Sequence, residues 1–282
     1  MDTHQIKEAI VFLEDSKGGM FMNRSINFAV PFRSVGLCLL AAGLLCGCAA
    51  REPLQQSRLV QVGGMHESIG KRQHQARVDV AEIVGEPHFY GVGALEGLQG
   101  EITVLDSVAV ITHVTPNGAP QAVAASDAKA TLMVGQSVER WTRHPLAETV
   151  PYEQFDETIG AMAGGAGVAT ADPFVFVIEG AFTDVRLHVI NGACPIHARM
   201  NKLELAEGER PFELDVENVS GTLVGVYATD SVGRLTHPAT KTHTHLIYTD
   251  PATGERVTGH VERVGLAKGA ALKLPAKAKT RE

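Results

Sequence analysis

The stretch Lys241-Thr-His-Thr-His-Leu-Ile-Tyr248 decides how this chain is read. Its β-branched and apolar residues predict a strand over about Thr240 to Tyr248. Side chains two apart on a strand share a face, so His243 and His245 point the same way. Asp250-Pro-Ala-Thr-Gly254 has the composition of a turn, and Val257 to Leu266 reads as the returning strand. That hairpin would bring His260, in Gly259-His260, beside the pair. Three imidazoles with an open position are a way to hold a catalytic zinc. An HxH pair alone reads more plainly as two polar positions on an edge strand. With His260 added, the expectation is a site for Zn2+ or another divalent metal held by His243, His245 and His260.

Working outward, the pattern stays mostly β. Tyr90 to Asp106 places glycines at turns with β-branched residues between them, and Val108 to Val114 is a second strand. Thr115-Pro-Asn-Gly118 is a turn by composition, and Ala128 to Gln136 a third strand. Phe174 to Ile178 and Ala181 to Ile190 read as strands flanking Glu179-Gly180, followed by Phe212 to Val216 and Thr222 to Thr229. A short helix is expected over Val78 to Val84, with Gly85 as its stop. The best helix is Val150 to Met162, with Pro151 in its first turn and Glu153, Asp156 and Glu157 near its N-terminus. Gly164-Gly-Ala-Gly167 ends it and lacks the Lys-Ser/Thr of a phosphate loop. The predicted class is α+β: antiparallel or mixed sheets in two similar packed halves with one or two helices. A faint echo between Gly97–Leu105 and Val219–Val226 agrees with a duplicated unit. No βαβαβ rhythm is present, which excludes a dinucleotide fold. His113, His197 and His237 are assigned to loops or the surface.

Residues 1–48 look like an export signal. Arg24 and Arg33 precede an apolar run from Val35 to Leu45, and Leu45-Cys46-Gly47-Cys48 resembles a bacterial lipobox with Cys48 as the lipidated residue. Residues 49–76 read as a polar tether, 77–275 as the folded domain and 276–282 as a basic tail. Three of the four cysteines lie in the signal, so only Cys194 remains in the body and no internal disulfide can form there. The net charge is −7, which excludes a basic nucleic-acid surface. The expected place is therefore the cell envelope or periplasm, anchored to the membrane by lipid.

Ala81 to Asp106, with Gly91-Val-Gly-Ala-Leu-Glu-Gly-Leu-Gln-Gly-Glu-Ile-Thr-Val-Leu-Asp106 at its centre, resembles the alpha-acetolactate decarboxylase pattern G-x-G-T-F-x-x-L-D-G-E-L-x-x-L-D. Pro173-Phe174 through Gly180-Ala-Phe-Thr-Asp-Val185, Leu223-Val-Gly-Val-Tyr227 and His243-Thr-His245 with Gly259-His260 follow in the family's order. The resemblance spans about residues 78–275. It implies a duplicated α+β arrangement around zinc, and decarboxylation of 2-acetolactate to acetoin and carbon dioxide. It makes Glu101 a proton-handling carboxylate. The family's substrate-gripping arginine aligns with His188, which becomes a substrate-binding candidate; Arg186, two residues earlier on the same face, is the candidate arginine. A second glutamate near the family's C-terminus has no equivalent here. The expected partner is a small 2-hydroxy-3-oxo acid, with a homodimer admitted. A different class of function stays open: a non-catalytic exported metal- or ligand-binding lipoprotein on the same scaffold.

Overall fold

The computed structural model describes residues 58–237 and 240–276. The expected signal over 1–48, with Cys48, and the tail from residue 277 lie outside them. The described residues form two antiparallel sheets. The first joins β1 (Val60–Val62), β2 (Val78–Asp79), β3 (Phe89–Leu95), β4 (Glu101–Leu105), β5 (Val108–Val114), β6 (Pro120–Val123) and β7 (Lys129–Ser137), in the order β1-β7-β3-β4-β5-β6 with β2 also on β7. The second joins β8 (Trp141–Pro145), β9 (Phe174–Val189), β10 (Phe212–Tyr227), β11 (Thr242–Thr249), β12 (Arg256–Leu266) and β13 (Ala271–Pro275). Within it, β10 pairs with β11, β11 with β12, β12 with β9 and β9 with β10, which closes a ring of four strands.

The expected α+β class with mostly antiparallel sheets is what the chain forms. The strand pairs expected around Gly180 and around Ser220-Gly221 are instead single sixteen-residue strands, β9 and β10. Gly180 carries φ +146, a conformation that L side chains rarely adopt, and a Cβ there would lie 2.8 Å from the Ala270 Cα. It faces Gly221 across the ladder, so the chain bends without leaving the sheet.

Among the described residues there are three α-helices: α1 (Val80–Val84), α2 (Phe155–Gly165) and α3 (Pro195–Asn201). The main helix starts later than expected. Val150 exchanges two backbone hydrogen bonds with Leu266 and is held as a bridge, so the helix is reached only through a turn at Tyr152–Gln154. The helix α2 then fixes the start of β11: the Asp156 carboxylate accepts hydrogen bonds from the Lys241 backbone N–H and the Thr242 hydroxyl, both at 2.6 Å. Beneath it Phe174, Phe176, Phe182, Leu187, Leu223 and Leu246 are fully buried. Each such side chain stabilises the fold by about 1.5–3 kcal/mol.

Part of the stretch expected as a polar tether belongs to the fold. Val60–Val62 pairs with Gly135, Val134 and Met133 of β7, and a π-helical turn follows at His66–Gly70. Two backbone hydrogen bonds, from Met65 to the Arg234 carbonyl and from His66 to the Gly233 carbonyl, dock this turn on the loop before β11. The polar composition of 49–76 hid the short apolar run Leu59-Val60 and Val62 that makes this possible.

Candidate metal centre

The register of the second sheet builds the site. His245 on β11 stands opposite His260 on β12, and His260 stands opposite His188 on β9. Residues directly opposite in an antiparallel ladder share a face, so the three form one rung. His243, two residues before His245, joins them on that face. All four are buried. The nitrogens of His243, His245 and His260 lie within 4.8 Å of one another. Their rings are 5.0 to 5.3 Å apart, centre to centre. The three predicted ligands are thus brought together.

Neighbours orient the rings. The Nδ1–H of His243 donates to the Leu235 carbonyl at 3.1 Å, which leaves Nε2 free for a ligand. His245 Nδ1 lies 3.3 Å from the Thr103 hydroxyl, which itself contacts the Thr258 hydroxyl at 2.6 Å. Outer partners of this kind hold metal-binding imidazoles in place. Burial, then the neighbouring histidines, pushes His243 and His260 well below the usual imidazole range. Burial and the nearby His188 push His245 down to about 3. Neutral imidazole is the form that binds a metal. The donor set therefore fits a divalent cation such as zinc.

The first sheet supplies the facing carboxylate. Glu101 begins β4, after Gly100 at φ +147, and is buried. Its Oε1 accepts the Ile190 N–H at 3.2 Å and lies 3.9 Å from His188 Nε2, while Oε2 lies 3.6 Å from His245 Nε2. Burial raises this carboxyl to about 8, against a smaller opposite effect of the Ile190 N–H. A cavity of about 20 Å³ separates these groups, lined by Glu101, His188, His237, His243 and His260. Met65, Ile69, Leu98, Leu132, Ile190 and Cys194 form its apolar wall. No lysine or arginine is among these lining residues. A wider groove of about 440 Å³, between Thr183-Asp184 and Asp215–Asn218, contains none of the predicted site residues.

Two residues sit differently in the fold from what their sequence positions suggested. His237, assigned to a loop or the surface, does sit on a loop, but its ring is 4.8 Å from that of His260 and lines the cavity. Burial and His188 lower it to about 4. No spacing rule links it to the hairpin; its loop is held by Met65 and His66 on one side and by the His243 ring on the Leu235 carbonyl on the other. Arg186 shares the His188 face as expected but does not line the cavity. Its guanidinium is held by Glu213 at 3.4 Å, Asp215 at 3.7 Å and Glu262 at 3.4 Å, and its side chain is one third exposed.

Glu262 was not singled out by the sequence reading, although the spacing His260-Val-Glu262 placed it two residues from a predicted ligand. Its Oε1 accepts the His188 Nδ1–H at 2.8 Å, and its Oε2 is bound by Arg199. Burial alone would raise its carboxyl, but His188 and Arg199 outweigh that and hold it at about 2.

Three solved structures share this architecture. Alpha-acetolactate decarboxylase from Bacillus subtilis strain 168 is 17% identical, with a TM-score of 0.58 over 78% of this chain and 86% of that one. Acetolactate decarboxylase from Bacillus subtilis subspecies spizizenii is 16% identical, with a TM-score of 0.57 over 78% and 87%. A Staphylococcus aureus protein of unknown function, described as similar to alpha-acetolactate decarboxylase, is 14% identical, with a TM-score of 0.55 over 78% and 86%. At these identities the likeness shows the fold. No curated protein matches the chain by sequence. Residues 68–279 match the family described as alpha-acetolactate decarboxylase, and the chain belongs to that family.

Proposed function

We propose that the chain is a metal-dependent carboxy-lyase that converts 2-acetolactate, or a related 2-hydroxy-3-oxo acid, to acetoin and carbon dioxide. The observation that carries this reading is the buried triad His243, His245 and His260 facing the buried carboxyl of Glu101. Zinc held by the three histidines would supply a Lewis acid for the negative charge left behind as carbon dioxide departs. Glu101, raised by burial, holds a proton near neutral pH. In the reaction the bond to the carboxylate carbon breaks, its electron pair stays on the keto-alcohol fragment as an enolate, and the proton of Glu101 ends on carbon. The apolar wall of Met65, Ile69, Leu98 and Leu132 keeps bulk water from competing for that charge. The cavity admits about one water-sized guest as it stands. Substrate entry therefore requires the Met65–Gly70 turn or the loop carrying His237 to move.

One observation favours the second reading, a non-catalytic metal- or ligand-binding protein: Arg186 is held by three carboxylates outside the cavity. Purified zinc-loaded protein incubated with acetolactate separates the two. Release of acetoin supports the enzyme; zinc at one equivalent per chain with no acetoin leaves the binding protein. Export and lipidation at Cys48 are proposed on the sequence alone. A Cys48→Ser variant that still incorporates labelled lipid would contradict them.

A further inference from the structure

The outer edge of the site carries a chain of contacts that the proposed chemistry does not use. It runs from α3 through β12 to β9. The helix α3 follows Cys194, with Pro195 in its first turn, and Arg199 lies in its last turn. A register shift between Val261 and Arg263 marks the stretch of β12 where Glu262 meets the His188 ring. The two oxygens of Glu262 then divide their work. Oε1 takes the His188 Nδ1 at 2.8 Å; Oε2 takes Arg199, with Arg186 Nε 3.4 Å away. An ionised carboxylate only accepts hydrogen bonds. The hydrogen between Glu262 and His188 must therefore sit on the imidazole. His188 itself is 2% exposed and paired by register with His260, so the ring has little freedom to turn. Its other nitrogen, Nε2, lies on the cavity side, 3.9 Å from Glu101.

We propose that Glu262, its other oxygen held by Arg199, is a positioning residue that locks His188 as the tautomer protonated on Nδ1, so that Nε2 faces the cavity as the acceptor for a substrate hydroxyl. The identity of that hydroxyl rests on the decarboxylase reading; the ring orientation does not. The lining residues hold no lysine or arginine, so the pocket contacts its guest through imidazoles and one carboxyl. A histidine fixed in this way discriminates by hydrogen bonding to a hydroxyl rather than by a fixed positive charge.

The test uses the zinc-loaded full chain labelled with 15N-histidine, at one fixed neutral pH, with His188 assigned by the signals missing from His188→Gln. The wild type should show His188 protonated on Nδ1 only. Glu262→Gln, which keeps an acceptor oxygen, should retain that pattern, and Glu262→Ala should lose it. Steady-state kinetics on the same proteins should place the loss for Glu262→Ala, about 10- to 100-fold in kcat/KM, mainly in KM, with zinc still at one per chain. The exposed Arg199→Ala should keep the tautomer and show a smaller rise in KM. His188 protonated on Nε2, or on both nitrogens, in the wild type overturns the proposal whether or not any variant folds. An unchanged tautomer and KM in Glu262→Ala overturns it too. A protein that shows the predicted tautomer but makes no acetoin sinks the decarboxylase reading and leaves the locked ring standing.

Discussion

Two ends of the same pair of strands behave in opposite ways. Along β9 and β12, His188 and His260 form a buried rung, while two or three residues further on Arg186 and Arg263 sit in a lattice with Asp184, Glu213 and Asp215. The rung is 2% and 5% exposed; the Arg186 and Arg263 side chains are about one third exposed. Burial keeps the imidazoles of His243, His245 and His260 neutral and ready to bind a cation. Water and the carboxylates of Asp184, Glu213 and Asp215 compensate the guanidinium charges. Glu262 belongs to both ends, with one oxygen on His188 and the other on Arg199 and Arg186. The comparison teaches that sharing a sheet face is not enough for a residue to enter the site: the depth at which its strand leaves the core decides.

The largest expected effect comes from breaking the rung. His260→Ala removes the central imidazole, and we expect zinc content measured by atomic absorption to fall from one per chain toward zero, with acetoin formation at background. Retained stoichiometric zinc would show that the rung is not the ligand set. Next is Glu101→Gln, which keeps shape and loses the proton. We expect kcat to drop by about 100- to 10,000-fold with zinc retained. A drop below threefold would leave Glu101 without a catalytic part.

Acid should separate the two ends without mutation. His237, His243, His245 and His260 have folded pKa values depressed below the unfolded 6.5. Below 6.5 the unfolded chain takes up protons that the folded chain refuses, so stability is present above that value and lost as pH falls. Each histidine contributes a slope of up to about 1.4 kcal/mol per pH unit. Glu101 acts in the other direction, since its raised carboxyl binds a proton more tightly when folded between 4.5 and about 8. One such group opposes four. The urea midpoint of metal-free protein should therefore fall steeply between pH 6.5 and 5, and zinc should raise the midpoint across this range without changing that slope, because the folded histidines are already unprotonated. A midpoint independent of pH over this range would mean the imidazoles are not held neutral.

The smallest effect is expected at the outer end. Arg186→Ala should leave zinc content unchanged and lower stability by about 1 kcal/mol or less, the size typical of partly exposed ion pairs. A hundredfold rise in KM in that variant would place the guanidinium in the pocket after all.

The histidine cluster was legible because its logic is local. An i, i+2 pair and a returning hairpin fix three histidines by strand geometry alone, and Glu101 followed from a motif that has a recognisable order. What the sequence hid depends on contacts between distant segments. His237 enters through a loop docked on Met65 and His66, Val60–Val62 joins the first sheet from within a polar stretch, and Glu262 reaches His188 across a register shift in β12. The continuity of β9 and β10 was hidden for a related reason: a glycine at φ +146 bends a strand, but in a sequence it reads as a break.

The most direct test is zinc binding to metal-free protein by titration calorimetry at neutral pH, comparing the wild type with His243→Ala, His245→Ala and His260→Ala. The account predicts one tight site in the wild type and a severe, similar loss in each of the three variants. Wild-type protein that binds no zinc, or three variants that bind it as tightly as the wild type, would contradict it.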